Sequence, residues 1–99
     1  MTNDMDRLKM ILTADDMSRI KEQDGRLRID LHGKKKQEAR WLLNTVINII
    51  RHPFMIDVIH GYNHGIVLKA MIFEEDINRR ITRRVSSNYN MGETYILVA

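Results

Sequence analysis

Apolar residues recur along this chain in two different periods, and the period changes at glycines. From Arg26 to His32 it is two: Leu27, Ile29 and Leu31 fall on one side, and Arg26, Arg28, Asp30 and His32 on the other. That alternation predicts a strand with one face in a core, and Gly33 ends it. From Lys35 to Arg51 the period lengthens. Ala39, Leu42, Leu43, Val46, Ile49 and Ile50 recur at steps of three and four, one stripe of a helix, while Arg40, Asn44 and Asn48 turn away from it. Pro53 disfavours helix at His52 and stops the run. Phe54 to Ile59 is short and almost continuously apolar, which predicts a central strand covered on both faces.

His60 to Gly65 reads as a turn with two glycines. Ile66 to about Asn78 then has helical composition, with Leu68, Met71 and Ile72 as its buried positions. Ile81, Arg83 and Val85 alternate with Thr82, Arg84 and Ser86 as a third strand. Asn88, Asn90 and Gly92 supply turn chemistry, and Thr94 to Val98 is a last strand. The order is βαβαββ, an α/β domain of two layers. Strands separated by helices pair in parallel through right-handed crossovers, and the final tight connection adds an antiparallel strand.

Residues 1–25 stand apart as an N-terminal extension to a domain at 26–99. Leu8, Ile11 and Leu12 fit one face of a short helix, so the extension is either a docked amphipathic helix or a mobile leader.

Composition narrows the function classes. Ninety-nine residues suit one domain with one modest core. The absence of cysteine removes disulfides, thiolate metal sites and cysteine nucleophiles together. No apolar run approaches the roughly 20 residues of a bilayer span, and MTNDMDRLKM lacks the layout of a signal peptide. Cytoplasmic location is therefore the expectation. Net charge is +3, unevenly spread. Residues 1–25 hold four Lys/Arg against six Asp/Glu, whereas residues 26–99 hold twelve against seven. A basic body behind an acidic leader is compatible with a polyanionic partner.

The candidate chemistry gathers at the strand ends. His32 follows the first strand and His60 the second, and each is followed by a glycine. In a parallel sheet these are carboxyl-end positions, where ligand sites of α/β folds collect. Neighbouring strands would bring both imidazoles to one crevice. A lone histidine at either place is ordinarily a satisfied structural residue; the repeated His-Gly ending moves the reading toward a site. Asp30 shares a strand face with His32 and is able to orient its ring, or else to cap a helix or pair with Lys34, Lys35 or Lys36. In the turn, Gly61 and Gly65 permit positive φ, and backbone N–H groups at a helix start attract phosphate. Tyr62 offers a stacking surface and His64 a donor. Lys34, Lys35 and Lys36 adjoin the crevice and are the preferred phosphate contacts; Arg79, Arg80, Arg83 and Arg84 rank second. Asp30, His32 and His60 form a conceivable facial set for a divalent ion. Glu74, Glu75 and Asp76 are consecutive on a helix and cannot all face one point. No cofactor is required, and a divalent metal stays open.

Asp30-Leu31-His32-Gly33, followed by His60-Gly61-x-x-x-Gly65 and by Asn90-x-Gly92-x-Thr94 before an apolar strand, resembles the signature of the small MutS-related (Smr) domain over residues 26–99. The resemblance implies a four-stranded mixed sheet with two helices, similar to the C-terminal domain of translation initiation factor three. It implies nicking endonuclease activity on DNA or RNA in some members and ribosome or RNA handling in others. Asp30, His32, His60, Gly61 and Gly65 match the family's functional positions. Asn63 replaces a usual glycine, His64 a usual small hydroxyl residue, and the first helix opens on lysines instead of acids.

Two expectations lead. In the first, a nuclease uses Asp30, His32 and His60 as its catalytic set, one histidine as general base and the other as acid. In the second, the same basic crevice docks on DNA, RNA or a ribosome without cleavage. A third makes the leader, through an unpaired Leu8–Ile11–Leu12 stripe, the contact for a larger partner or a second copy.

Overall fold

Asp24 and Gly25 both have positive φ, 52° and 78°, and so form a two-residue turn whose twist suits a hairpin. It pairs β1 (Ile20–Gln23) with β2 (Arg26–Asp30), Gln23 opposite Arg26 and Ile20 opposite Ile29. The computed structural model describes residues 2–61 and 65–99. Before the hairpin come α1 (Thr2–Ile11) and α2 (Ala14–Ser18); after it come α3 (Lys36–Ile49), β3 (Phe54–Ile59), α4 (Gly65–Glu74), β4 (Ile81–Ser86) and β5 (Glu93–Val98). The mixed sheet runs β1-β2-β3-β5-β4, with β2 and β3 parallel and the other pairs antiparallel. The chain is thus a compact α/β domain with five strands and four helices among the described residues, where the sequence predicted four strands and two helices. The extra strand lies inside the segment read as an extension.

The crossovers β2–α3–β3 and β3–α4–β4 run in the same direction across the sheet, so right-handed connections set α3 and α4 on one face. Leu27 and Ile29 of β2, Ile56 and Val58 of β3, and Ile96 and Val98 of β5 point into that layer. They meet Leu42, Leu43, Val46 and Ile47 of α3 and Leu68, Met71 and Ile72 of α4. The buried stripe of α3 includes Ile47, and the predicted Ile49 only borders the core. The reason is α1, which packs along α3 and brings Leu8 and Leu12 into the same core. The Leu8–Ile11–Leu12 stripe is therefore covered from within, apart from Ile11, which stays exposed. Strand β3 is not covered on both faces as expected: Met55 and Ile59, on its second face, remain partly exposed.

Helix ends consume two arginines. The Arg80 guanidinium donates to the carbonyls of Ile47 in the last turn of α3 and of Ile50 and His52 just beyond it, and to Ala99. Arg84 donates to the Ile72 carbonyl of α4 at 2.6 Å. Four orphan carbonyls end every α-helix, and these side chains satisfy several of them. This removes Arg80 and Arg84 from the second-ranked phosphate contacts and leaves Arg79 and Arg83 exposed. The α4 helix ends at Glu74, not near Asn78; the Asn78 side chain instead donates to Asn44 and Asn48 of α3.

The second sheet face carries a buried carboxyl pair. Asp57 of β3 is 8% exposed, and its Oδ1 has no hydrogen-bond partner among the described residues. Burial pushes the Asp57 carboxyl up to about 6; neighbouring Glu93 adds to this, and Arg28 and Arg26 offset part of it. The folded chain then holds a proton that the unfolded chain has released, between the ordinary carboxylate range and about pH 6. That stabilising contribution is full at low pH and is lost as pH rises through about 6. Asp57→Asn should therefore raise Tm at pH 7.5 by about 5 °C or more, with the gain shrinking as pH falls below about 6 and approaching zero only at the ordinary carboxylate range, about pH 4. Thermal melts of both proteins across this range check it.

Candidate functional site

Three segments meet at the carboxyl ends of β2 and β3. The Leu31 N–H donates to the Ile59 carbonyl at 2.7 Å, extending the parallel pairing one residue past β2. Beyond it, the Gly92 carbonyl accepts from both His60 N–H at 2.8 Å and Gly61 N–H at 3.1 Å. A Cβ on Gly92 would lie 3.2 Å from the Cα and carbonyl carbon of Gly61, and one on Gly61 would lie 3.4 Å from the His32 Cβ. The first His-Gly end, the second, and the turn before β5 are thus one corner. Gly61, at φ 85°, is in a conformation that side chains rarely adopt.

Asp30 and His32 form the exposed element of this corner. The Asp30 Oδ1 lies 2.5 Å from His32 Nδ1 and also accepts from the His32 backbone N–H at 3.0 Å. The carboxylate fixes the proton on Nδ1 and leaves the Nε2 lone pair as the available base. The His32 side chain is 65% exposed, and no described residue engages its Nε2. Of the roles weighed for Asp30, ring orientation is the one its geometry supports.

His60 has the opposite environment. It is 2% exposed; its Nδ1 lies 3.2 Å from the Gly61 carbonyl and its Nε2 2.9 Å from the Thr94 hydroxyl. Only one tautomer satisfies both: Nδ1–H donates to the carbonyl, and Nε2 accepts from the Thr94 O–H. Burial lowers its pKa, partly offset by the Gly61 carbonyl and Glu93. The expectation that both imidazoles open on one crevice is corrected here. They belong to one corner, but His60 is a neutral strut between β3 and β5, with no nitrogen left to exchange a proton.

The lysines also divide. Lys34 is not a phosphate contact: its ammonium is 2.7 Å from Asp16 of α2, and both side chains are about nine-tenths buried. Lys36 pairs with Glu75, whose carboxyl it holds below the usual range, and Arg40 meets the same Glu75 at 2.8 Å. Lys35, exposed just before α3, has no carboxylate partner among the described residues. Its backbone N–H is met by Glu38 at 3.3 Å. Gly65 opens α4. Tyr62, Asn63 and His64 lie outside the described residues.

One functional residue was not singled out from the sequence. Arg19, between α2 and β1, donates through Nη1 to the carbonyls of Asp30 at 3.1 Å and His32 at 3.0 Å, and through Nε to Asp15. Its own carbonyl accepts from the Asp30 N–H. The leader therefore clamps the segment that carries the imidazole. The visible clue was Asp24-Gly25, a hairpin signal that would have brought residues 19–23 against β2.

The described residues contain no group of three or more His, Cys, Asp or Glu arranged to hold a metal; His60 is too engaged to complete the Asp30–His32–His60 set. No described helix is long and apolar enough to cross a membrane. Arg19→Ala removes two charge-assisted bonds to carbonyls and should cost about 2 kcal/mol, or roughly 10 °C in Tm, while shifting the His32 ring resonances in a proton–carbon NMR spectrum. Unmoved His32 resonances would show that Arg19 does not position the ring. Among protein-family models none matches this chain, and among curated proteins none matches it.

Proposed function

We propose that the chain is a nucleic-acid-binding domain of the small MutS-related type that cleaves a phosphodiester backbone at the Asp30–His32 corner. The observation that carries this reading is the exposed Asp30–His32 pair, 2.5 Å apart, set beside Gly61 at the carboxyl ends of two parallel strands. Such a pair is a general base with its tautomer fixed. His32 Nε2 removes the proton from the attacking hydroxyl, which forms the new O–P bond. The bond to the leaving oxygen breaks, and that oxygen takes its proton from the imidazolium or from solvent. Asp30 stabilises the imidazolium while it exists. Lys35 supplies positive charge to the phosphate, and Arg19 keeps the His32 backbone in register with β3. His60 acts through Gly61 and Thr94 and is a positioning residue.

The test is cleavage of single-stranded RNA and DNA by the purified chain, with and without chelator. His32→Ala should reduce cleavage by about a hundredfold or more, with oligonucleotide affinity changed less than about threefold. Undiminished cleavage by that variant would remove the assignment. A second reading, a binding module without cleavage, draws on the sealed His60, which leaves the corner without a second proton-transfer histidine among the described residues. Its signature is an inert wild type that still binds nucleic acid with steep salt dependence, its log–log slope falling by about one unit in Lys35→Gln.

A further inference from the structure

The sheet face turned away from α3 and α4 carries Asp30 at the end of β2, and the rest of its residues are sorted. On one side β1 and β2 carry Lys21, Arg26 and Arg28, all exposed, with Lys21 directly opposite Arg28. No carboxylate makes a salt bridge with any of the three among the described residues. Toward the middle, β3 and β5 carry Met55, Ile59, Tyr95 and Leu97 on the same face, each partly exposed, with the buried carboxyls of Asp57 and Glu93 among them. The Tyr95 hydroxyl donates to Glu93 at 3.2 Å, which steadies the ring. A pocket of about 370 Å³ on this face is lined by Lys21, Gln23, Arg28 and Ile59 and also by Arg19 and Asp30, the two residues that hold the His32 segment.

Free cations beside an aromatic and aliphatic floor match a ligand with a charged backbone and exposed flat rings. Duplexes show proteins mainly phosphates and groove edges, leaving Tyr95 and its neighbours unused; a single strand offers both phosphates and base faces. Among the described residues the corner has one exposed imidazole, His32, and RNA carries its own nucleophile, the 2′-hydroxyl, so a single positioned base suffices to start cleavage.

We infer that this open sheet face is the track for single-stranded RNA, with phosphates along Lys21, Arg26 and Arg28, a base stacked on Tyr95, and the scissile link delivered through the pocket to His32. The inference rests on the corner reading above, and its failure is separable from the failure of that reading.

The experiment uses the full chain and a labelled unstructured RNA dodecamer, the matching DNA, and the RNA duplex, with affinity read by fluorescence anisotropy over a salt series. The RNA strand should bind about tenfold or more tighter than either competitor. Tyr95→Leu should weaken it about tenfold, and Lys21→Gln and Arg28→Gln should each reduce the log–log salt slope by about 0.7. Lys9→Gln, on the exposed side of α1, should change nothing. Circular dichroism of each variant reports folding, and Arg28→Gln, at an exposed position, keeps the test valid if Tyr95→Leu misfolds. If His32→Ala abolishes cleavage while the sheet-face variants bind like wild type, the corner reading survives and the track is overturned. Equal affinity for the DNA strand or the duplex overturns the RNA assignment. No binding of any nucleic acid overturns both.

Discussion

The corner depends on how closely two backbones approach. Gly61 and Gly92 touch with no room for a side chain between them, and the Gly92 carbonyl takes both the His60 and Gly61 N–H groups. That contact locks the end of β3 to the start of β5 before any side chain is considered. Thr94 then lies within reach of the His60 ring, and the His32 Cβ comes within van der Waals range of Gly61. A residue with a Cβ at position 92 would push the end of β3 away from β5, loosening the hydroxyl–imidazole bond and the platform beneath His32 together.

The same contact explains why two histidines in equivalent sequence settings have different chemistry. Both follow a strand and precede a glycine. His60 sits at the end of a central strand flanked by β2 and β5, so its ring is enclosed and its nitrogens are matched by fixed partners. His32 follows the strand next to the edge, where Arg19 grips the backbone carbonyls but leaves the ring outside. A buried imidazole with both nitrogens satisfied resists protonation; an exposed one with a carboxylate on Nδ1 is available to accept a proton. Position in the sheet order, which the local motif does not encode, separates the two roles.

The elements with strong periodicity were legible. Phe54–Ile59 was bounded correctly by Pro53 and the His-Gly turn, and the Lys36–Ile49 helix was found within two residues at either end. Strand β1 was not found, because Ile20-Lys21-Glu22-Gln23 has a single apolar residue, as suits an edge strand open to water. The information lay in the turn, since Asp24-Gly25 is a hairpin signal whatever the strand composition. The two-residue spacing put Asp30 and His32 on one strand face but left open whether Asp30 orients the ring, caps a helix or pairs with a lysine. The Lys34–Asp16 and Arg19 contacts could not be read in that way, since they join the leader to the domain across a fold that local patterning does not specify. Treating residues 1–25 as separate hid both.

Net charge gives a poor measure of what a polyanion would meet here. Much of the basic charge is already committed within the fold: Arg19 to backbone carbonyls, Lys34 to Asp16, Lys36 and Arg40 to Glu75, Arg80 and Arg84 to helix ends. Those groups have partners that a phosphate would have to displace, at the cost of stability. Lys21, Arg26 and Arg28 make no salt bridge among the described residues, although Arg26 and Arg28 act on Asp57 through space, and they stand on strands whose other face is anchored in the core. Rigid strands hold their charges at fixed spacing, so a ligand loses less entropy on binding there than on mobile lysines. Beside them lie the buried Asp57 and Glu93 carboxyls, and Arg26 and Arg28 offset part of that negative charge. On the proposed reading, the cations open to a polyanion are those without partners in the fold, and Lys21, Arg26 and Arg28 stand together on the side of the sheet away from its helices.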